Sequence, residues 1–161
     1  MAQSNIKNCT LVFLVKKEGN AISEVCLAMK KRGFGQGRWN GVGGKVSPNE
    51  EIEAAAVREA REEIDVEVRD LKNVAELTFG FPNKPEFNQR VHVYFSERWA
   101  GEPKETEEMS PKWFTIANIP YGAMWECDTY WLPEVLKGKF ISAAFTYGEN
   151  DTLLNSAIKE V

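Results

Sequence analysis

The sequence has few of the residues that hold transition metals or cross-link secreted domains. It contains one histidine, His92, and three cysteines, Cys9, Cys26 and Cys127. The cysteines are odd in number and show no metal-ligand spacing, so we expect free thiols in a reducing compartment. His92 alternates with apolar residues in a predicted strand, and we assign it a structural role rather than a catalytic one.

Long hydrophobic runs are also missing. No stretch approaches the roughly 20 apolar residues of a membrane helix, and Met1–Asn5 has no apolar signal-peptide segment. The formal net charge of −4 argues against a protein that wraps a nucleic acid polymer. The 161 residues, 43% of them apolar, contain no repeat or linker. We therefore expect a single domain over residues 1–161, in a soluble, cytoplasmic monomer without nucleic acid polymer or membrane partners.

An acidic helix is the most informative segment that is present. Ser47-Pro48-Asn49-Glu50 supplies an N-cap hydroxyl, a proline and a glutamate at capping-box spacing, which predicts a helix from Pro48 to Ile64. Its apolar stripe is expected to be buried and consists of Ile52, Ala55, Ala56, Ala60 and Ile64.

Three carboxylates share one face of this predicted helix. Glu59, Glu62 and Glu63 stand at i, i+3 and i+4, in the last turns, where the helix dipole disfavours negative charge. A divalent cation between them would make this arrangement favourable, because hard cations bind oxygen ligands. The alternative is a solvated helix face with Arg58 and Arg61 as counter-ions.

The segment before the helix is basic and rich in glycine. No acidic residue occurs between Glu24 and Glu50, whereas five basic residues and six glycines do: Lys30, Lys31, Arg32, Arg38, Lys45, Gly33, Gly35, Gly37, Gly41, Gly43 and Gly44. Glycines allow backbone N–H groups to approach a ligand, and the cations can balance phosphate charge. The pattern is not a P-loop, because no Gly-Lys-Ser/Thr ending follows. It suggests a phosphate chain that a metal bridges to the acidic helix.

The two segments together resemble a known signature. Gly44-x5-Glu50-x7-Arg58-Glu59-x2-Glu62-Glu63 is similar to the Nudix box of hydrolases that cleave nucleoside diphosphates linked to another group. Ala60 stands where a larger aliphatic residue is usual, and Asp65 where glycine is usual. Alanine keeps its position apolar, and aspartate tolerates the left-handed conformation that can end a helix.

The similarity extends to nearly the whole chain, from about Thr10 to Val161, and is strongest with the MutT family. It includes Lys30–Val46, Glu107–Met109, Trp113-Phe114, Met124-Trp125, Tyr130-Trp131 and Asp151-Thr152. The resemblance implies an α/β Nudix fold with a mixed β-sheet sandwiched between helices. It also implies hydrolysis of an oxidised purine nucleoside triphosphate, such as 8-oxo-dGTP, to monophosphate and pyrophosphate, which sanitises the nucleotide pool and prevents DNA damage.

The resemblance also implies roles for the charged residues. Mg²⁺, with Mn²⁺ as an alternative, would be held by the Gly43 carbonyl and by Glu59, Glu62, Glu63 and Glu108. Glu63 or Glu108 would be the general base, Lys45 would lie against phosphate, and Arg58 would orient the glutamates. Glu108 has a plain alternative, because it ends an acidic run, Glu102–Glu108, that would ordinarily be a solvated loop.

Nine residues match substrate-binding positions of the family: Thr10, Lys30, Asn40, Lys45, Phe79, Met109, Trp125, Cys127 and Asp128. Asn40 offers a donor and an acceptor, Trp125 a stacking face and Asp128 an acceptor for ring N–H groups. Phe79, Met109 and Trp125 could equally be ordinary core residues. Cys127 departs from the family, which has a second aspartate there, and a thiol is a poor substitute for a carboxylate.

Two other functions stay open at this point. A Nudix pyrophosphohydrolase for a different nucleotide would keep the carboxylate helix and use the pocket differently. A non-catalytic nucleotide-binding module is disfavoured, because every carboxylate of the box and Lys45 are present.

The remaining periodicity predicts alternating strands and a second helix. Strands are expected at Thr10–Lys16, Glu24–Lys31, Asn73–Phe81, Arg90–Glu97, Lys112–Ile116 and Phe140–Tyr147, and a helix at Thr129–Leu136 despite Pro133. Thr152–Lys159 fits either the second strand of a hairpin or a helix.

Overall fold

A computed structural model describes residues 6–161, so the expectation for Met1–Asn5 lies outside the described part. The strands are β1 (Lys7–Glu18), β2 (Ala21–Lys30), β3 (Trp39–Asn40), β4 (Glu67–Arg69), β5 (Lys72–Gly80), β6 (Gln89–Ser96), β7 (Arg98–Ala100), β8 (Met109–Thr115), β9 (Ile141–Tyr147) and β10 (Leu153–Glu160). The α-helices are α1 (Ile52–Ile64) and α2 (Asp128–Leu136). Short 3₁₀ turns lie at Pro85–Phe87, Ile116–Asn118, Tyr121–Ala123 and Glu149–Asp151. None of the helices in residues 6–161 combines the length and the apolar character needed to cross a membrane.

Eight of these strands form one mixed sheet. Seven follow the order β10-β9-β5-β6-β1-β2-β3, and β8 also pairs with β2. The pairs β1–β6 and β5–β9 are parallel, and the others are antiparallel. β4 and β7 make a separate antiparallel pair.

Strand β1 lies at the centre and separates two apolar cores. Val12 and Leu14 belong to the core that contains α1, and Phe13 and Val15 to the core that contains α2. Side chains alternate between the faces of a strand, so four consecutive buried residues require cover on both faces. The predicted mixed sheet between helices is thus confirmed.

The start of α1 differs from the prediction. The helix begins at Ile52 rather than Pro48, after an extended Glu51 that makes no side-chain cap. Asn49 has a left-handed backbone with φ of 66°, which interrupts any helix there. The Glu50 carboxylate does accept the Ser47 N–H at 2.9 Å, so part of the expected capping box closes a separate turn.

The end of α1 is as predicted. Asp65 adopts the left-handed conformation, with φ of 57° and ψ of 41°, and so occupies the position where glycine is usual. Of the predicted stripe, the three alanines and Ile64 are buried, whereas Ile52 is half-buried. Ala60 has no exposed surface, and its small side chain lets α1 approach the sheet closely.

The other predicted elements are present with ends shifted by a few residues. The helix through Pro133 forms as α2, and the last segment is strand β10, which pairs with β9 as a hairpin. Strands β3, β4 and β7 are not predicted, because two or three residues carry too little periodicity. All three cysteines are buried free thiols.

Candidate active site

The segment before α1 is inserted beside the central strand. β1 pairs with β2 only from Val15 onward, and the earlier part of β1 pairs instead with residues 42–46. The Thr10 N–H donates to the Gly44 carbonyl at 2.9 Å, and the Val42 N–H donates to the Val12 carbonyl at 3.0 Å. This pairing holds Gly43 and Gly44 between β1 and the carboxylate face of α1.

The two glycines lie in close contact with their neighbours. A Cβ on Gly43 would lie 1.8 Å from the Thr10 carbonyl oxygen, so this position admits no side chain. A Cβ on Gly44 would lie 2.5 Å from a carboxylate oxygen of Glu59, so a side chain there would displace the Glu59 carboxylate. The Gly-Gly pair therefore lets the backbone reach the helix carboxylates.

Glu63 is the buried carboxylate of the face, with 6% of its surface exposed. Its Oε1 accepts the Gly43 N–H at 2.7 Å. The pKa of Glu63 is raised to about 7, chiefly by burial and in smaller part by the charges of Glu59 and Glu108, whereas the Gly43 N–H and the charge of Lys30 oppose the rise. The structure therefore brings the predicted Glu63, Gly43 and Glu59 together.

Arg58 organises the other carboxylates of the helix. Its guanidinium donates to Glu50 at 2.9 and 3.0 Å and to Glu59 at 2.9 Å, and it reaches Glu62 at 3.3 Å. Hydrogen bonds from Arg58 and the Ser47 N–H lower the pKa of Glu50 to about 2. Burial raises the pKa of the half-buried Glu59, an effect that Arg58 opposes. Glu62 is exposed, at the solvent side of this network.

Glu108 reaches the site from a different part of the chain. It directly precedes β8, and its charge is among those that raise the pKa of Glu63. Arg32 is hydrogen-bonded to its carboxylate and lowers the pKa of Glu108. Glu108 therefore acts on Glu63 through its charge, while its carboxylate is hydrogen-bonded to Arg32, and its role at the metal site stays a prediction.

The chemistry of these residues suits a divalent cation. Over residues 6–161, no three Asp, Glu, His or Cys side chains already converge as a metal-binding group. The donors nevertheless fit a hard cation, because all of them are oxygens and Glu59 lies against Gly44. Burial raises the pKa of both Glu59 and Glu63. A bound cation would favour the ionised form of these buried carboxylates.

A cavity of about 410 Å³ lies beside this region. All nine residues predicted to bind substrate line it, together with Gly43 and Gly44: Thr10, Lys30, Asn40, Lys45, Phe79, Met109, Trp125, Cys127 and Asp128. Cavities of about 300–1,000 Å³ suit small-molecule ligands. The same cavity is thus lined by the predicted base-binding residues and by Gly43 and Gly44, which contact the carboxylates of α1.

Asp128 is the polar centre of the cavity. The residue is 3% exposed, and its Oδ1 accepts the Trp131 indole N–H at 2.9 Å and the Cys127 thiol at 3.6 Å. Its Oδ2 is the one fully buried side-chain oxygen or nitrogen in residues 6–161 without a hydrogen-bond partner. Burial raises the pKa of Asp128 to about 7, opposed by its hydrogen bonds to Trp131 and Cys127. An unpaired buried acceptor in a cavity wall is suited to a ligand donor.

The sequence does not identify two aromatic residues of this wall, Phe34 and Phe87, or the buried Tyr147 that packs against the wall. Phe34 stacks on Phe87 with ring centroids 4.8 Å apart and lies 5.2 Å from Trp125. Tyr147 meets Trp125 edge-on and accepts the Cys127 N–H at 2.9 Å. Clustering of aromatic residues around a glycine-rich loop is the available signal, but sequence alone does not show which rings face a ligand.

The first part of the glycine-rich segment lies beside Trp125. A Cβ on Gly35 would contact the Trp125 indole nitrogen at 3.5 Å. The Arg38 guanidinium lies over the Trp125 ring, 4.1 Å from its centroid. Gly33, Gly35 and Gly37 have φ between 82° and 86°, which turns the chain here. This part of the segment therefore contributes to the aromatic wall, and the approach of the segment to phosphate stays a prediction.

Comparison with known proteins agrees with this geometry. The profile described as the NUDIX domain matches residues 7–135. The chain belongs to the Nudix family. It is 41% identical over 152 residues to the oxidized purine nucleoside triphosphate hydrolase of Mus musculus, covering 94% of each chain. It is 39% identical over 155 residues to the protein of the same name from Danio rerio, covering 96% of each chain.

Solved Nudix structures share the fold. The mutator MutT protein of Bacillus halodurans superimposes with a TM-score of 0.81 at 20% identity, over 96% of this chain and 98% of that one. The MutT NUDIX hydrolase of Burkholderia pseudomallei gives a TM-score of 0.62 at 21% identity, over 72% and 88%. These similarities establish that residues 6–161 have the Nudix fold.

Proposed function

We propose that this chain hydrolyses an oxidised purine nucleoside triphosphate, such as 8-oxo-dGTP, to the monophosphate and pyrophosphate, and so sanitises the nucleotide pool. Asp128 carries the proposal: a buried carboxylate with one unpartnered oxygen lies in an aromatic cavity whose wall includes Gly43, the hydrogen-bond donor to Glu63. Relatives of 41% and 39% identity, named oxidized purine nucleoside triphosphate hydrolases, support it.

The base would occupy the aromatic end of the cavity. Trp125 supplies a stacking surface, and Asp128 Oδ2 accepts from an N–H on the base edge. The side-chain Oδ1 of Asn40 accepts the Gly41 N–H at 2.8 Å. This bond fixes the orientation of the side-chain amide, so its NH₂ group remains free to donate to a ligand. The site therefore reads a purine edge with one acceptor and one donor.

The phosphates would extend toward Gly43 and Gly44. Lys30 and Lys45 line this end of the cavity and provide positive charge. The Gly43 carbonyl with Glu59, Glu62, Glu63 and Glu108 would hold Mg²⁺ or Mn²⁺, which would lower the pKa of the attacking water and neutralise phosphate charge. Arg58 keeps Glu59 and Glu62 in place through its hydrogen bonds.

A carboxylate of the site takes the proton from the attacking water. Glu63 accepts the Gly43 N–H inside the site, whereas Arg32 donates to Glu108 Oε1 and lowers the pKa of Glu108, which makes Glu108 the weaker base. The variants Glu63→Gln and Glu108→Gln separate these candidates, because loss of the base lowers kcat at saturating Mg²⁺. Loss of a metal ligand alone is relieved in part by a higher Mg²⁺ concentration.

The direct experiment is a hydrolysis screen with 8-oxo-dGTP, oxidised adenine triphosphates, normal dGTP and dATP, and dinucleotides, with and without Mg²⁺. The proposal expects metal-dependent turnover that is fastest for an oxidised purine triphosphate. Faster turnover of a dinucleotide would assign the chain to another Nudix activity. Nucleotide binding without turnover under any metal would indicate a non-catalytic module.

A further inference from the structure

Arg38 makes two side-chain contacts that the proposed reaction does not explain. Its guanidinium lies over Trp125, 4.1 Å from the ring centroid. Its Nη1 donates to Asp151 Oδ2 at 3.2 Å, across 113 positions of sequence. Both side chains are partly buried, at 30% and 38% exposure. The arginine therefore bridges the cavity wall and the turn between β9 and β10.

The turn is shaped to present this carboxylate. Asn150 and Asp151 both have left-handed backbones, with φ of 57° and 55°. Asn and Asp adopt this conformation more readily than other non-glycine residues. The Arg38 ion pair is an additional contact that holds the Asp151 carboxylate toward the cavity wall.

The Trp125 ring has several other restraints around it. Gly35 lies against its indole nitrogen, and Phe34 and Tyr147 pack near it with centroids 5.2 and 5.3 Å away. Trp125 belongs to the short connection between the 3₁₀ turn Tyr121–Ala123 and α2, so its own backbone is not in a helix or strand. Arg38 is the only cation placed over this ring in the described chain.

We infer that Arg38, anchored by Asp151, is a positioning residue that holds Trp125 in the orientation needed to stack on the substrate base. This inference rests on the proposed function for the identity of the ligand. It differs from the expectation for the basic loop, in which Arg38 would balance phosphate charge. In the structure the Arg38 guanidinium contacts the Trp125 ring and the Asp151 carboxylate.

The test uses Arg38→Met, Arg38→Lys and Asp151→Asn in the full chain. Arg38→Met keeps the length of the side chain and removes its charge and planar group. We expect about a tenfold rise in KM for the best purine triphosphate and less than a twofold change in kcat. Asp151→Asn should raise KM about threefold. In the Arg38→Met background Asp151→Asn should have no further effect, because Asp151 acts through Arg38.

Binding without turnover separates stacking from phosphate contact. Affinities for 8-oxo-dGMP and its free nucleoside, measured by calorimetry without metal, should fall by about the same factor in Arg38→Met. A loss confined to phosphorylated ligands would overturn the inference, because it indicates a phosphate counter-charge. Full rescue by Arg38→Lys would also overturn it, because lysine cannot reproduce the planar guanidinium over Trp125. No binding of either ligand to the unaltered protein would overturn it as well.

A matched control is available in a separate ion pair. Arg98 pairs with Asp70 at 3.1 Å, with both side chains mostly exposed. Arg98→Met should leave KM and nucleoside affinity unchanged, and an equal effect of Arg38→Met and Arg98→Met would refute a positioning role. If the unaltered protein instead hydrolyses an unrelated nucleotide, and Arg38→Met still weakens nucleoside binding, the proposed substrate is wrong but the inference about Arg38 holds.

Discussion

Replacement of Asp128 by asparagine should make the fold more stable and the enzyme less effective. Burial raises the pKa of Asp128 from 3.8 to about 7. At about 1.36 kcal/mol per pKa unit, ionising this group in the folded chain is unfavourable by roughly 4 kcal/mol. Asparagine keeps an oxygen for the Trp131 indole N–H and carries no charge. It also places an unpaired NH₂ group at the position of Oδ2, which costs about 1–3 kcal/mol.

The gain in stability must depend on pH. Below about pH 4, Asp128 is protonated in both the folded and the unfolded chain, so its titration contributes nothing. Between about pH 4 and 7 the folded chain keeps the proton that the unfolded chain releases, so the unaltered protein loses stability as pH rises. Above about pH 7 this loss is complete. The Asp128→Asn variant has no such dependence, so its relative stability rises through the same window.

Urea unfolding at pH 5 and pH 8 measures this difference. The stability of Asp128→Asn relative to the unaltered protein should be about 2–3 kcal/mol greater at pH 8 than at pH 5. Asp70→Asn, at an exposed position, is the control and should show no such change. A relative stability of Asp128→Asn that is equal at the two pH values would refute the reasoning.

The same variant should lose activity. A purine N–H that faced Oδ2 would instead meet the asparagine NH₂ group, and loss of such a bond in a desolvated site lowers kcat/KM about ten- to two-hundred-fold. The opposite directions of the two effects are the signature of a group retained for function rather than for stability. Loss of both stability and activity would instead indicate a purely structural Asp128.

Three further outcomes are expected. Glu63→Gln should abolish most turnover, with nucleotide binding retained and thermal stability without metal unchanged or slightly higher; near-normal turnover would remove Glu63 as ligand and base. Chromatography should show nucleoside monophosphate and pyrophosphate as first products, and orthophosphate as first product would mean that the substrate binds in another register. Cys127→Asp should extend the substrate range toward oxidised adenine nucleotides. Two adjacent carboxylates can share a proton, whereas the Cys127 thiol, 3.6 Å from Asp128 Oδ1, cannot share one with Asp128 in this way. Parallel changes in kcat/KM for guanine-type and adenine-type substrates would contradict this prediction.

The sequence predicts the structure best where a backbone conformation or spacing favours one residue type. The spacing of Glu59, Glu62 and Glu63 defines one helix face, and Gly43 and Gly44 mark a close backbone approach that the structure shows. The left-handed Asp65 follows from the intrinsic tolerance of aspartate. These features depend on residues close together in the chain, so local rules suffice.

Features that depend on distant parts of the chain are less predictable. The capping box at Ser47 predicts a helix start, but the left-handed Asn49 places it in a separate turn. The basic loop predicts Arg38 near phosphate, whereas its partners, Trp125 and Asp151, come from the far end of the sequence. Phe34 enters the cavity wall, and the buried Tyr147 packs against Trp125, through the same long-range packing. Periodicity and composition carry no information on such pairings.

The cavity joins two buried carboxylates that the fold alone leaves poorly compensated. At one end Asp128 has an oxygen without a donor, and at the other Glu63 has a single neutral N–H from Gly43. Each arrangement is unfavourable in the isolated chain, because a buried acid with too few donors favours its neutral form. The missing partners differ in kind: an N–H edge suits the aromatic end, and a cation suits the end beside Glu59. A ligand with a planar base and a metal-bound phosphate chain would supply both at once, so we expect a purine triphosphate to bind more tightly than a nucleoside or a metal ion alone.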